Sequence, residues 1–248
     1  MSTTGSPILT PERSYPEEYL PASDGRPMAE TDVHRRLMLD LLHALEEHFR
    51  EQPLVYVSGN IFLYYLDERG VRQSISPDIL VVFGVPKKQR RIYKLEAEGK
   101  APDVVIELTS DETKVNDLGD KRYIYATLGV REYFIFDPLQ ETMRPPLRGF
   151  RLENGDYVPL MGSRLNSEVL GLELRVEQNT LRLYDRKTGK RLLTPQEAEA
   201  ARREAEAARR EAEARADRET RERQAAEAEL ARLRDELKKL RGESSPSE

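Results

Sequence analysis

The chain of 248 residues contains no cysteine. Disulfides and thiolate metal sites are therefore excluded, and a reducing cytoplasm is the compatible and expected location. No apolar run approaches the roughly 18 residues a membrane-spanning helix needs, so no membrane association is expected. The first thirty residues lack an apolar segment of the secretory kind, so no signal peptide is expected. Positive charge is also in deficit. The net charge of -5 gives no bulk attraction for nucleic acid, and any such binding has to be local. The apolar fraction of 38% is low and charged residues reach 34%, but that charge is concentrated towards the C-terminus. What remains is long enough for one well-buried domain plus an appendage.

Residues 1–28 read as an extended lead-in punctuated by Pro7, Pro11, Pro16, Pro21 and Pro27. From 30 to about 49 the pattern is helical. Val33, Leu37, Leu41, Leu45 and Phe49 recur at three-to-four spacing, with Thr31 as N-cap. Short β-type runs follow at 54–57, 61–65 and 79–83, the last entered through Ser76-Pro77-Asp78. A polar, basic interval at 87–100 leads to a strand at 104–108. A helix is expected over 115–128, ending at Gly129 as its C′ residue, and a strand over 132–136. Asn154-Gly155 between alternating segments predicts a type I′ hairpin over 150–158, and a second β pair is expected at 172–176 and 180–184. These hairpins extend the sheet or cap it.

Thr194-Pro195-Gln196-Glu197 is a capping box with proline at the first helical position. It opens a long charged helix over 194–241, with related heptads starting at Glu197, Glu204 and Glu211 and a tail over 242–248 expected to be disordered. Glu199 with Arg203 and Glu206 with Arg210 sit at i,i+4 in the favourable order, worth roughly 0.3–0.5 kcal/mol each. The apolar seam is mostly alanine and fails around 215–223. It returns as Leu230, Leu233, Leu237 and Leu240. Two readings stay open: a solvated single helix, or a coiled coil that makes a homo-oligomer. The core is the other place where a homo-oligomer is expected to form. The domain proper is expected to span 29–193.

Within that domain one feature is out of place. Alternation along 103–108 puts Val104, Ile106 and Leu108 on one face and Asp103, Val105 and Glu107 on the other. A carboxylate facing a buried sheet surface is costly unless it is paired or metal-bound. Asp78 enters another strand. Lys121, on the helix after Glu107, comes to a similar height once strand rise and helix rise are compared. Tyr125 lies one turn further on the same helical face. A shared polar pocket holding Asp78, Glu107 and Lys121 is the expectation. Two acids and a lysine suit phosphodiester hydrolysis assisted by Mg²⁺ or Mn²⁺, the acids acting as oxygen ligands and the lysine positioning water or offsetting transition-state charge.

Several stretches taken in series are similar to one family. They are Ser76-Pro77-Asp78-Ile79-Leu80-Val81-Val82, Asp103-Val104-Val105-Ile106-Glu107-Leu108-Thr109-Ser110, and then Asp117, Lys121, Tyr125 and Gly129-Val130-Arg131-Glu132-Tyr133 through Asp137-Pro138. Over about residues 28–180 the chain resembles the Uma-type restriction endonuclease family, a bacterial branch of the PD-(D/E)XK nuclease superfamily. The resemblance implies an α/β (α+β) restriction-endonuclease-like core in the order α-β-β-β-α-β, a central mixed sheet flanked by helices, and divalent-metal phosphodiesterase chemistry on nucleic acid, DNA in the first instance. It assigns the first acid to Asp78 and the second to Glu107, both as metal ligands. Thr109 stands where the superfamily pattern has lysine, and Lys121 resembles a lysine moved onto the following helix. His34 on the first helix, Asp103 and Tyr125 are accessory positions. Arg122 and the interval 87–91 are candidates for contacts to a nucleic-acid backbone.

Two other classes of function compete with an endonuclease. One is a nucleic-acid-binding or regulatory module that keeps the fold with weak turnover. The other is an assembly protein acting through its C-terminal helix.

Overall fold

The structure, a computed structural model, describes residues 20–22, 31–111 and 113–242. The lead-in expected over 1–28 lies outside the described residues except for 20–22, and the tail expected over 242–248 lies outside them beyond 242. Two compact units divide between Thr194 and Pro195.

In the first unit, helix α1 (Asp32–His48) starts at Thr31, whose hydroxyl accepts the His34 N–H at 3.2 Å. Strands β1 (Val55–Ser58), β2 (Leu63–Leu66), β3 (Arg72–Ile75) and β4 (Ile79–Phe83) follow, then β5 (Tyr93–Lys94), the single turn α2 (Leu95–Glu98) and β6 (Val104–Leu108). After helices α3 (Lys114–Leu118) and α4 (Asp120–Leu128) come β7 (Glu132–Phe136), β8 (Leu147–Glu153), β9 (Asp156–Pro159), β10 (Arg164–Ser167), β11 (Leu172–Glu177) and β12 (Thr180–Asp185).

The central mixed sheet has the order β1-β4-β6-β7-β8-β9, with β6 and β7 parallel and its other pairs antiparallel. Its core order, α1-β1-β4-β6-α3/α4-β7, is the α-β-β-β-α-β expected, with β2 and β3 inserted before β4. Every residue of β6 and β7 is buried, because both faces of the sheet are covered. Val57, Ile79, Val81, Val104, Ile106 and Phe134 meet Leu37, Leu41 and Leu45 of α1 and the leucines of β11 and β12. The opposite face carries Leu80, Val105, Tyr133 and Ile135 against Tyr125 of α4 and Leu63 and Tyr93 of the small β3-β2-β5 sheet.

Two expectations change. The helix expected over 115–128 is two helices, broken at Gly119, whose backbone (φ -109, ψ -94) is not helical. A Cβ there would lie 2.9 Å from the Val115 carbonyl oxygen, so the break suits glycine. The basic interval contains β5 and α2, too short to leave a periodic signal. Of the two roles expected for the hairpins, the second β pair takes the capping one: β10 joins it, and the resulting three-stranded sheet closes the α1 side. The first hairpin does extend the central sheet, and Asn154 and Gly155 take φ of 53° and 90° as a type I′ turn requires.

The second unit is one helix, α5 (Pro195–Gly242), of 48 residues. Its surface is laced with pairs such as Arg203–Glu199 at 2.9 Å and Arg209–Glu213 at 2.8 Å. Among the described residues no helix is long and apolar enough to cross a membrane.

Candidate active site

Antiparallel pairing of β4 with β6 sets Ile79 opposite Ile106. One step further along that register, Asp78 faces Glu107. The two residues are tied reciprocally: the Asp78 N–H donates to Glu107 Oε2 at 3.2 Å, and the Leu108 N–H donates to Asp78 Oδ2 at 2.7 Å. The chain before β4 is fixed as well. The Asn60 N–H donates to the Pro77 carbonyl at 3.0 Å. Gly59 lies so close that an added Cβ would be 2.3 Å from the Asp78 carbonyl oxygen.

Glu107 is fully buried on the face that α4 covers. Its Oε1 accepts the Tyr125 hydroxyl at 2.6 Å, and its Oε2 lies 3.0 Å from Lys121 Nζ. The same ammonium lies 3.0 Å from Asp117 Oδ1. The break at Gly119 separates these two residues between α3 and α4 yet keeps them paired at i,i+4. Tyr133, tilted against Tyr125, donates its hydroxyl to the Asp117 carbonyl at 2.8 Å. His34 approaches from the other side of the sheet, with Nε2 3.5 Å from Asp78 Oδ1. The side chains of His34, Asp78 and Lys121 keep 14–15% exposure, whereas Glu107 keeps 0%, so the cluster opens to solvent on the Asp78 side.

Burial acts against every charge here, and the neighbours decide the outcome. Burial pushes Glu107 up to about 8, reinforced by the negative Asp78 and Asp117 and only partly opposed by Lys121 and the Tyr125 bond. For Asp78, burial is outweighed by the His34 hydrogen bond and the Lys121 charge, which hold it below the usual carboxylate range. For Lys121, burial is outweighed by Glu107, Asp117 and Asp78, so the ammonium is held above its ordinary value. Burial and the neighbouring Glu107 also push Tyr125 well above its ordinary value, which keeps it a hydrogen-bond donor.

Asp78, Glu107, Lys121, His34 and Tyr125 thus come together. Asp103 does not. It sits at the opposite end of β6, where its carboxylate accepts the Phe83 N–H at 2.8 Å and meets Lys100 at 2.9 Å and Arg131 at 3.6 Å. Sharing a face with Glu107 did not place it near, because four strand residues span about 13 Å. Arg122 is likewise occupied, over the Phe150 ring at 4.6 Å and donating to the Tyr157 carbonyl at 3.2 Å. Asp117, one of the residues of the family resemblance but given no site role there, joins the cluster as a partner of Lys121. Its position four residues before Lys121 was the available signal.

The donor set fits a hard cation of the Mg²⁺ type. Two carboxylates from adjacent strands supply oxygen, and Asp78 borders the open side. Among the described residues no group of three or more His, Cys, Asp and Glu is arranged to hold a metal. Mg²⁺ does not need one, because it is bound through one or two carboxylates and keeps several waters.

Residues 14–205 match a family model described as Uma2, "Putative restriction endonuclease". No curated protein matches the chain. A similar solved structure is the crystal structure of a "putative nuclease belonging to DUF820" from Anabaena variabilis. It is 15% identical with a TM-score of 0.45, and the match covers 61% of this chain and 86% of that one.

Proposed function

The chain belongs to the Uma2 family, described as putative restriction endonucleases, and from that premise we propose that it hydrolyses phosphodiester bonds in DNA with the help of Mg²⁺ or Mn²⁺. The observation that carries the reading is the meeting of Asp78, Glu107 and Lys121 on neighbouring elements, with Lys121 Nζ 3.0 Å from Glu107 Oε2. A scaffold has no use for a fully buried glutamate bound to a lysine that is itself nearly buried.

Asp78 and Glu107 would hold the ion, which supplies Lewis-acid polarisation of the phosphoryl oxygen and a more acidic bound water. Tyr125 holds the Glu107 carboxylate in its rotamer through Oε1, leaving Oε2 turned towards Asp78 and Lys121. Lys121 presents a permanent positive charge beside the acids, suited to the charge that accumulates on the pentavalent phosphorus. Asp117, 3.0 Å from the same ammonium, helps hold it in place. Lys121 thereby takes the part that the superfamily pattern gives to the position of Thr109. Thr109 is buried and its hydroxyl lies 3.4 Å from that of Thr113, at the approach to α3.

The test is a cleavage assay on mixed DNA and RNA substrates with Mg²⁺, Mn²⁺ or EDTA. It compares the wild type with Glu107→Gln and Asp78→Asn, which keep the volume and most hydrogen bonds of the buried pair. Metal-dependent cleavage of DNA by the wild type alone is expected. Binding without cleavage under every metal would replace the enzyme by a nucleic-acid-binding module.

A further inference from the structure

Away from the acid–lysine cluster, a groove of about 660 Å³ runs along β1, bordered by Glu46, Val55–Ser58 and residues 87–90. β1 is the edge of the central sheet, so the groove follows a sheet margin with no further strand beside it. The adjoining chain is basic: residues 87–100 hold Lys87, Lys88, Arg90, Arg91, Lys94 and Lys100 against Glu96 and Glu98, in a chain of net charge -5.

The cations on the groove are held in different ways. Lys87 Nζ donates to the carbonyls of Phe49 and Arg50 at the end of α1, which leaves its charge met by neutral groups. Arg90, with 2% side-chain exposure, lies 4.0 Å over the Tyr56 ring and makes a two-pronged pair with Glu98, each bond 2.9 Å. Lys88 shares that Glu98 at 3.3 Å and is 57% exposed. Three cations thus stand against Glu46 and Glu98, and the margin keeps an excess of positive charge.

The groove also points somewhere. Ser58 pairs with Leu80, and the Asn60 N–H reaches the Pro77 carbonyl, so the Ser58 end lies about 7 Å of strand short of Asp78. The four residues of β1 span about 13 Å of that path. Built this way, with the charge fixed by Arg90 and Lys87 and an exposed ammonium at Lys88, the margin suits backbone phosphates leading to the acid pair.

We infer that the groove between the β1 edge and residues 87–90 seats the backbone phosphates of the nucleic-acid strand delivered to Asp78 and Glu107. The inference rests on the nuclease reading and adds the path of the substrate to it. Phosphate contacts position a strand without reading its bases, so this surface confers affinity and direction rather than sequence preference.

The test measures binding of a short fluorescein-labelled duplex to the full chain by anisotropy, in EDTA, across a salt series. It compares the wild type, Lys88→Ala, Lys88→Glu and, as a control, Arg164→Gln on β10, a side chain 66% exposed. Lys88→Ala is expected to lower the slope of log affinity against log salt by about 0.9, and equally for unrelated sequences. Lys88→Glu should weaken binding further, and Arg164→Gln should leave the slope unchanged. In Mg²⁺ with saturating DNA, kcat of the Lys88 variants should match the wild type while KM rises. A wild type that cleaves while the Lys88 variants keep its salt slope would overturn the groove and leave the nuclease standing. An equal fall for Arg164→Gln would also overturn it, by showing a bulk charge effect. A wild type that neither binds nor cleaves would overturn both.

Discussion

Replacing Lys121 by methionine removes one charge from the site and little volume. Its ammonium lies 3.0 Å from Glu107 Oε2 and 3.0 Å from Asp117 Oδ1, whose side chains are 0% and 2% exposed. Taking one partner from a buried ion pair costs about 3–5 kcal/mol, because the charge left behind is neither solvated nor paired. Here a way out exists. Glu107, already raised to about 8 with the lysine present, rises further without it and is protonated at neutral pH. The cost should therefore fall at the lower limit, about 3 kcal/mol at pH 7. The sign of the pH dependence follows from the raised carboxyl. Stability linked to Glu107 is fully present below its unfolded value near 4.5 and is lost as pH rises towards 8. Lys121→Met should extend that window upwards, so its deficit relative to the wild type is level well below pH 8, where Glu107 is protonated in both, and grows as pH rises through 8. Urea unfolding followed by tyrosine fluorescence measures this. All eleven tyrosines precede residue 195, so the signal reports the first unit and not α5. A deficit that is constant from pH 5 to 9, or one below about 1 kcal/mol, would refute the electrostatic account. Retained cleavage by the same variant would refute the role proposed for the ammonium.

Other outcomes are expected. Tyr125→Phe removes the 2.6 Å bond to Glu107 Oε1, leaving a buried acceptor unsatisfied, and should cost about 1–3 kcal/mol in urea unfolding, with a drop in cleavage greater than its effect on DNA binding. Gly59→Ala sets a Cβ 2.3 Å from the Asp78 carbonyl and should cost about 1–3 kcal/mol while displacing Asp78, so that activity falls even where the protein remains folded. If Glu107 holds the metal as proposed, it must give up a proton to do so, and Mg²⁺ affinity should rise with pH until about 8 and then level off. Calorimetric titration in buffers of differing ionisation heat should show proton release below that pH. Truncation after Leu193 should leave the tyrosine-reported transition in place, and a changed solution mass by light scattering would assign self-association to α5. Loss of the transition would place the domain boundary elsewhere.

Local sequence was enough for much of this protein. The periodicity of α1, the strands at 79–83, 104–108 and 132–136, the Asn154-Gly155 turn and the glycine stop at 129 all depend on near neighbours, whose chemistry is written consecutively. Glu107 announced itself because a carboxylate in a five-residue buried strand breaks the apolar pattern. Tertiary structure alone decided the rest. β5 is two residues long and exists because β2 lies beside it. Gly119 ends one helix and begins another, and across that break Asp117 and Lys121 still pair so that the ammonium reaches Glu107. Asp103 and Glu107 look equivalent by alternation, but one meets Lys100 and Arg131 and the other meets Lys121, since alternation fixes a face and not a position along it. The free edge of β1 is likewise a property of sheet order, and sheet order depends on partners far apart in the chain.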